Sequence, residues 1–353
     1  MDRELRDIQA KNGATFNTSA SGIEVPMSYG NDAEALQAVR EGVALCDRSH
    51  WGLLQLSGAD KLRFLHNQST NDFQNLQPGQ GCETVFVTST ARTIDIVTAY
   101  VTDDSVLLLV SPNRRQKMME WLDRYIFPAD KVDLKDISDT TGIFSIIGPQ
   151  SRSILAQHGF SSDEPFASHQ TLTLGDADVR VAVGSGLATE GFTLIFAANQ
   201  GPKLWQTLTD SGSIPLGEQC WKQLRVSQGR PASDHELTED YNPLEAGLWH
   251  NISFEKGCYI GQETIARLNT YQGVKQQLWG LKLSAPASPG TPVTIGENKI
   301  GTLTSYADTP DGAFGLAYIR TKAGGVGLQV KVGDADAEVV DVPYLTRGYL
   351  AAK

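Results

Sequence analysis

The residues best suited to chemistry lie together in one octapeptide. Residues 256–263 read Lys-Gly-Cys-Tyr-Ile-Gly-Gln-Glu, and an apolar-periodic helix begins directly after them. Cys258 is therefore predicted about one helical turn before a helix N-terminus, where the helix dipole and the charge of Lys256 both favour a thiolate. Gly257 and Gly261 permit a positive φ or a close backbone approach. The pattern predicts a reactive cysteine.

Cys258 also has plainer interpretations. A lone cysteine is often a small buried hydrophobe, in which case the glycines only shape a tight turn. A hydrolase pair of Cys258 with His250 is supported by nothing beyond the residue types. His66, in the run FLHNQSTND, is a candidate for facing a ligand cavity, although a lone histidine is more often part of the hydrogen-bonded structure.

Metal and dinucleotide sites are not predicted. The six histidines show no i, i+4 pair, and the four cysteines lie far apart without a Cys-x-x-Cys pair. Residues 184–189 (GSGLAT) approach a dinucleotide-binding loop, but they lack its last glycine and lead into a strand-like run. No nicotinamide or flavin site is expected.

The elements that must position these residues form two α+β units and a β-rich C-terminal part. One strand–helix–strand–strand–strand–helix unit fills roughly residues 51–130, and a second unit of similar plan starts at 141. A further helix, EQCWKQLRVSQGR, ends at Gly229 before a proline. After Gln276, short β-rich runs separated by Gly, Pro, Asn and Asp are typical of a small barrel or sandwich.

Three helix starts are predicted from capping residues. Asp32 precedes apolar residues at helical spacing, and Asp60 precedes KLRFLHNQ. Ser111-Pro112 is a typical start for a helix that continues to Phe127-Pro128.

Composition excludes several classes of protein. The 353 residues are 40% hydrophobic and 20% charged, which suits two or three globular domains. A formal charge of −11 argues against nucleic acid or an anionic membrane as a main partner. No run of about 18 apolar residues occurs, so no membrane span is predicted. The cysteine usage indicates a reducing compartment.

The octapeptide KGCYIGQE resembles the K-G-C-Y-x-G-Q-E signature of the YgfZ family, folate-dependent relatives of the glycine-cleavage T-protein. The runs SHWGLLQLSGADKLRFLHNQSTNDF and NPLEAGLWHNISFEKGCY resemble two further family blocks, and the likeness covers about residues 30–350. The sequence is close to the cyanobacterial and chloroplast branch of that family. The resemblance implies a functional surface with Cys258 as its reactive group, beside catalytic Lys256 and Tyr259 and folate-binding Gln262, Glu263 and Arg267.

The resemblance also implies the fold. We expect an α+β cloverleaf of three domains around a central folate funnel, with two ferredoxin-like α+β domains and a small C-terminal β-barrel. Residues 1–50 with 138–245 are expected to form the folate-binding domain. Residues 51–137 with 246–272 are expected to carry the KGCYIGQE loop, and residues 273–353 the barrel.

The chain departs from the aminomethyltransferases at Asp95. Those enzymes carry two adjacent acids at the corresponding place, but here the second is Ile96, which can neither accept nor donate a proton. The loss of a general acid/base costs roughly 100- to 10,000-fold in rate. Asp95 itself is expected to bind folate, or else to be an ordinary strand residue or turn partner. Its alternation with Ile94 and Ile96 suits either the funnel wall or a solvent face.

Two more folate contacts are expected by resemblance. Glu190 lies in a run similar to the T-protein turn that offers acids to the pterin ring, although it is one place out of register and Thr193 replaces the other acid. Its alternative is an exposed turn charge. Arg225 is expected to bind the folate glutamate tail, or alternatively to pair with a surface acid.

The function expected from the resemblance is that of an accessory protein. It would bind tetrahydrofolate or a one-carbon derivative and support assembly or repair of iron–sulfur clusters through Cys258, and so, through iron–sulfur enzymes, tRNA modification. Its partners would be folate and iron–sulfur proteins or cluster-assembly factors, without direct contact to nucleic acid. Folate-dependent aminomethyl or one-carbon transfer is the alternative, and a non-catalytic binding module is a third. A bacterial cytoplasm fits, as does a plastid stroma if a plant precursor has lost its leader.

Overall fold

Helices and strands alternate along most of the chain, and from Gln276 onward the chain is built mainly of strands. The computed structural model describes residues 3–19, 22–160 and 164–351. The α-helices within them are α1 (Arg3–Lys11), α2 (Asp32–Glu41), α3 (Lys61–Gln68), α4 (Arg115–Asp123), α5 (Ser151–Ala156), α6 (Gly201–Asp210), α7 (Glu218–Gln228) and α8 (Gln262–Thr270).

Most of the strands belong to three sheets. In chain order they are β1 (Thr15–Thr18), β2 (Glu24–Ser28), β3 (Ala44–Asp47), β4 (Gly52–Ser57), β5 (Gly81–Val87), β6 (Thr93–Val101), β7 (Ser105–Val110), β8 (Asp133–Asp136), β9 (Thr141–Ile147), β10 (His169–Leu174), β11 (Ala177–Val183), β12 (Gly191–Ala197), β13 (Ile214–Leu216), β14 (Gln276–Leu283), β15 (Pro292–Ile295), β16 (Asn298–Thr309), β17 (Gly312–Arg320), β18 (Gln329–Val332) and β19 (Ala335–Val340). The pair β1-β2 stands apart from the larger sheets.

The two α+β parts contain one sheet each. A six-stranded sheet has the order β10-β11-β12-β9-β3-β13, and a five-stranded sheet has the order β5-β6-β7-β4-β8. The core of the six-stranded sheet packs Phe144, Phe192 and Trp205, all fully buried. The mixed α+β class predicted from the sequence is confirmed.

The C-terminal strands close into a barrel of order β14-β17-β16-β15-β18-β19. Closure occurs at β14, where Gly280 faces Leu316 of β17 on one side and Val340 of β19 on the other. Alternate residues of β18 and β19 are buried, as expected for strands with one face in a barrel core. Of the two β architectures predicted for this region, the barrel is the one present.

The chain forms two compact units. The first comprises residues 1–65, 73–83 and 97–221, and the second comprises 66–72, 84–96 and 222–353. The division into three domains, with the boundaries expected above, stays a prediction.

Two helix boundaries differ from the expected ones. The helix after Ser111-Pro112 begins only at Arg115 and ends at Asp123, before the expected Phe127-Pro128.

The carboxylate of Asp60 accepts a hydrogen bond from the backbone N–H of Lys131 at 2.9 Å and so joins the start of α3 to a distant loop.

Candidate functional site

The Cys258 loop, residues 252–261, is held on a short segment that follows α3. The Ser253 N–H donates to the Thr70 carbonyl oxygen at 3.0 Å, and the Ile260 N–H donates to the Asn67 carbonyl oxygen at 3.1 Å. The Thr70 hydroxyl donates to the carbonyl oxygen of Asn251 at 2.7 Å. Both ends of the loop are therefore fixed to the 66–72 segment, and all these residues belong to the second unit.

Cys258 is exposed at the surface of this loop. The interpretation of Cys258 as a buried hydrophobe is therefore wrong. Helix α8 starts four residues later, with Gly261 as its N-cap at φ 82°. A Cβ at Gly261 would also lie 2.8 Å from the Thr88 carbonyl oxygen, so both the conformation and the space require glycine.

Lys256 is buried and turned toward the 66–72 segment. Its Nζ donates to the carbonyl oxygens of His66, Ser69 and Asn71, the last two at 2.7 and 2.6 Å. An ammonium has three N–H donors, so these contacts match its full donor capacity. The geometry makes Lys256 a residue that fixes the base of the Cys258 loop, and its predicted catalytic role stays a prediction.

Tyr259 packs into the hydrophobic core of the second unit. Its ring is 9% exposed, lies 4.8 Å from Lys256 Nζ and belongs to a cluster with Val85 and Ile265. Burial raises the pKa of the Tyr259 phenol well above its usual value. The phenol therefore stays protonated at neutral pH, and the catalytic role expected for Tyr259 stays a prediction.

His66 is a site residue that sequence reasoning undervalued. Its side chain is buried, and its Nδ1 lies 3.0 Å from Asp72 Oδ1. Burial lowers the pKa of His66, the ammonium of Lys256 lowers it further, and Asp72 partly offsets both. These effects together favour the neutral form of the imidazole.

Helix α8 presents the other three residues of the predicted functional surface. Glu263 and Arg267 are exposed and four residues apart, so they share one face of the helix, while Ile265 is fully buried on another. Gln262 is half-buried in the first turn. These side chains can meet a ligand from solvent, and folate binding by them stays a prediction.

Asp95 is fully buried in β6, all nine residues of which are buried. The alternative of a solvent-facing Asp95 is therefore wrong. Its neighbour Ile96 is 1% exposed. The free-energy cost of burying a carboxylate must be offset by hydrogen-bond donors or cations. A ligand with N–H donors could supply part of that compensation.

Glu190 and Arg225 lie in different units, and folate binding by either residue stays a prediction. Glu190 lies in the first unit, whereas the other predicted site residues belong to the second. Its side chain is 54% exposed and 3.8 Å from Arg152, which favours the alternative of an exposed turn charge. Arg225 donates to Glu236 at 3.1 Å and to Ser305 at 2.8 Å. Its partner acid is fully buried, so the alternative of a surface acid is wrong for it.

Glu236 is the centre of a polar network around that pair. It also accepts hydrogen bonds from Thr304, Ser305 and the Ala232 N–H. The network joins the loop after α7 to strand β16 of the barrel. Arg225 therefore stabilises the second unit, and binding of the folate tail would have to share its guanidinium.

A cavity of about 50 Å³ lies in the first unit, lined in part by Ser49, Arg115, Ser138 and Phe196. None of the predicted site residues lines it. It is smaller than the roughly 300 Å³ or more of a ligand pocket. Within the described ranges no cluster of three or more His, Cys, Asp or Glu could hold a metal ion. No helix among them is long and apolar enough to cross a membrane.

Comparison with known proteins gives a consistent family. The model of the GCVT N-terminal domain matches residues 5–256. A chloroplastic protein of Arabidopsis thaliana with transferase in its name is 47% identical over 325 residues, covering 91% of this chain and 75% of that protein. The aminomethyltransferase of Symbiobacterium thermophilum is 29% identical over 361 residues, covering 96% of each chain.

Among solved structures, the glycine cleavage system aminomethyltransferase T from Bartonella henselae matches with a TM-score of 0.85 at 20% identity. The match covers 98% of both chains. This likeness shows the fold.

Proposed function

This chain belongs to the GCVT N-terminal domain family of folate-dependent, GcvT-type transferases, and from that premise we propose that it binds tetrahydrofolate or a one-carbon derivative. We further propose that it acts as an accessory protein for assembly or repair of iron–sulfur clusters, in the manner of the YgfZ branch. Cys258 is its reactive group.

The observation that carries this proposal is the presentation of Cys258. The thiol is exposed on a loop whose two ends are hydrogen-bonded to the 66–72 segment, with Lys256 buried beneath it. A fixed, solvent-facing thiol before a helix N-terminus is suited to meeting a group on another macromolecule. An internal structural cysteine needs no such exposure.

The residues of the second unit fit a folate in part. The pterin ring has adjacent N–H donors that a carboxylate accepts in pairs, and Asp95 supplies a buried carboxylate. The glutamate tail is an anion, and Arg267 supplies an exposed guanidinium. Gln262 and Glu263 lie in the first turn of the same helix as Arg267. Folate would supply the one-carbon chemistry, and these residues would bind and orient it.

Aminomethyl or one-carbon transfer is the second candidate. The identity of 29% to an aminomethyltransferase over 96% of both chains favours it. Ile96 counts against it, because this buried side chain cannot move a proton next to Asp95.

The partners of the proposed protein are folate and iron–sulfur proteins or their assembly factors. An effect on tRNA modification would then pass through iron–sulfur enzymes, without direct nucleic-acid binding by a chain of net charge −11. The chloroplastic relative supports a plastid stroma as one location, beside the cytoplasm of a bacterium.

The test uses cells that lack the gene for this protein. Expression of the wild-type chain should restore the activity of an iron–sulfur enzyme such as aconitase, and leave a dehydratase without a cluster unchanged. A parallel assay supplies the purified chain with an aminomethylated carrier and tetrahydrofolate. It measures transfer of the methylene group to tetrahydrofolate, which forms methylenetetrahydrofolate and releases ammonia. Transfer activity without any effect on the iron–sulfur enzyme would overturn the accessory function in favour of the second candidate.

A further inference from the structure

The backbone of the Cys258 loop passes directly over the imidazole of His66. A Cβ built on Gly257 would lie 3.2 Å from His66 Nε2. This separation is shorter than an ordinary van der Waals contact, so a side chain at 257 would have to displace the imidazole or the loop. Gly257 is the residue immediately before Cys258.

The His66 side chain is held in place and cannot easily move to make room for a side chain at position 257. It is 2% exposed, and its Nδ1 is within hydrogen-bond distance of Asp72. Because a carboxylate only accepts hydrogen bonds, the Nδ1 nitrogen bears the proton and the unprotonated Nε2 faces Gly257. Lys256 fixes the same turn from below through the carbonyl oxygens of His66, Ser69 and Asn71.

We infer that His66 is a positioning residue for Cys258. Its imidazole, oriented by Asp72, occupies the space of the absent Gly257 side chain and so sets the path of the backbone that presents the thiol. The glycine of the octapeptide is thereby explained by a contact 191 positions away in the chain. The inference rests on the proposed role of Cys258, but it concerns the thiol's presentation and needs neither folate nor an iron–sulfur partner.

The test is the alkylation rate of Cys258 in the purified full chain with iodoacetamide, read by mass spectrometry of the peptide that bears it. We compare Gly257→Ala, His66→Asn and the double variant. Asparagine retains an N–H donor for Asp72 but lacks the ring atoms under Gly257. Gly273→Ala is the matched control, because its Cβ would make only ordinary contacts with Leu268.

Buried Cys46 and Cys220 act as internal controls, because their alkylation reports loss of the fold. Gly257→Ala should lower the Cys258 rate by about threefold or more, a coupling typical of residues in contact. The double variant should alkylate within about twofold of His66→Asn alone, because the methyl group added at position 257 then has room.

An unchanged rate in Gly257→Ala, or independent effects that simply multiply in the double variant, would overturn the inference. If Cys46 and Cys220 become alkylated in Gly257→Ala, that variant has lost its fold, and His66→Asn alone then tests the inference. Its Cys258 rate, measured from about pH 6 to 9, should then differ in profile from the wild type, and an identical profile would refute the positioning role. Iron–sulfur enzyme rescue is scored separately, so failure of one proposal is distinguishable from failure of the other.

Discussion

Replacing Lys256 with methionine separates a structural from a chemical role of this residue. Methionine retains most of the apolar stem but has no donor, so the carbonyl oxygens of His66, Ser69 and Asn71 lose the ammonium. A hydrogen bond to a charged group contributes about 1.5 to 3 kcal/mol, and such contributions are not additive when one group makes all of them. We therefore expect the free energy of unfolding to fall by about 3 to 5 kcal/mol.

Urea unfolding at pH 7.5, followed by tryptophan fluorescence, measures this change. Lys299→Met is the control, because Lys299 is exposed on the barrel, and its effect should stay within about 0.5 kcal/mol. A loss below about 1 kcal/mol in Lys256→Met, together with slow alkylation of Cys258, would refute the structural role. Lys256 would then act on the thiol itself.

Three further predictions concern stability. Glu236→Gln should lower the free energy of unfolding by about 3 kcal/mol, since it leaves the charge of Arg225 without its buried counter-ion. Exposed Glu338→Gln is the control. Equal urea midpoints for Glu236→Gln and the wild type would contradict the role of the network. Gly261→Ala should cost about 2 kcal/mol in urea unfolding because of its φ of 82°, and an unchanged midpoint would contradict that strain. The pKa of His169 is lowered from 6.5 to about 4 by burial and by Arg180, so between these pH values only the unfolded state binds a proton at this side chain. The free energy of unfolding should therefore fall by about 2 kcal/mol from pH 7.5 to pH 5. His169→Gln should show a smaller fall over the same range.

Elements with a local signal could be predicted from the sequence. Helix α2 begins at Asp32, as the apolar spacing indicates, although its N-cap is Asn31 and not Asp32 as predicted. Helix α7 ends before Gly229, which has a φ of 82°. The barrel follows from its alternating short strands. In each case the information lies within a few neighbouring residues.

Short elements that depend on distant partners were not predicted. Strand β13 has three residues and exists through parallel pairing with β3, in which Leu216 faces Cys46. Strand β8 (DLKD) is polar and pairs with β4 as the edge strand of its sheet. Neither carries a periodicity that a local pattern could reveal.

The candidate site divides in the same way. The octapeptide indicated a reactive, glycine-flanked cysteine before a helix. The structure has the cysteine at that place and shows that it is exposed, and its reactivity stays a prediction. The sequence could not show that Lys256 binds carbonyl oxygens of the 66–72 segment or that His66 lies under Gly257, because these contacts join residues nearly 200 positions apart. The ion pair of Arg225 with Glu236 depends likewise on the barrel strand beside it.

The central claim is that this folate-family protein supports iron–sulfur enzymes through Cys258. Its most direct test is aconitase activity in cells lacking the gene, complemented at equal expression with the wild type, Cys258→Ala or the control Cys82→Ala. We predict restoration by the wild type and by Cys82→Ala and none by Cys258→Ala. Equal restoration by Cys258→Ala would contradict the claim.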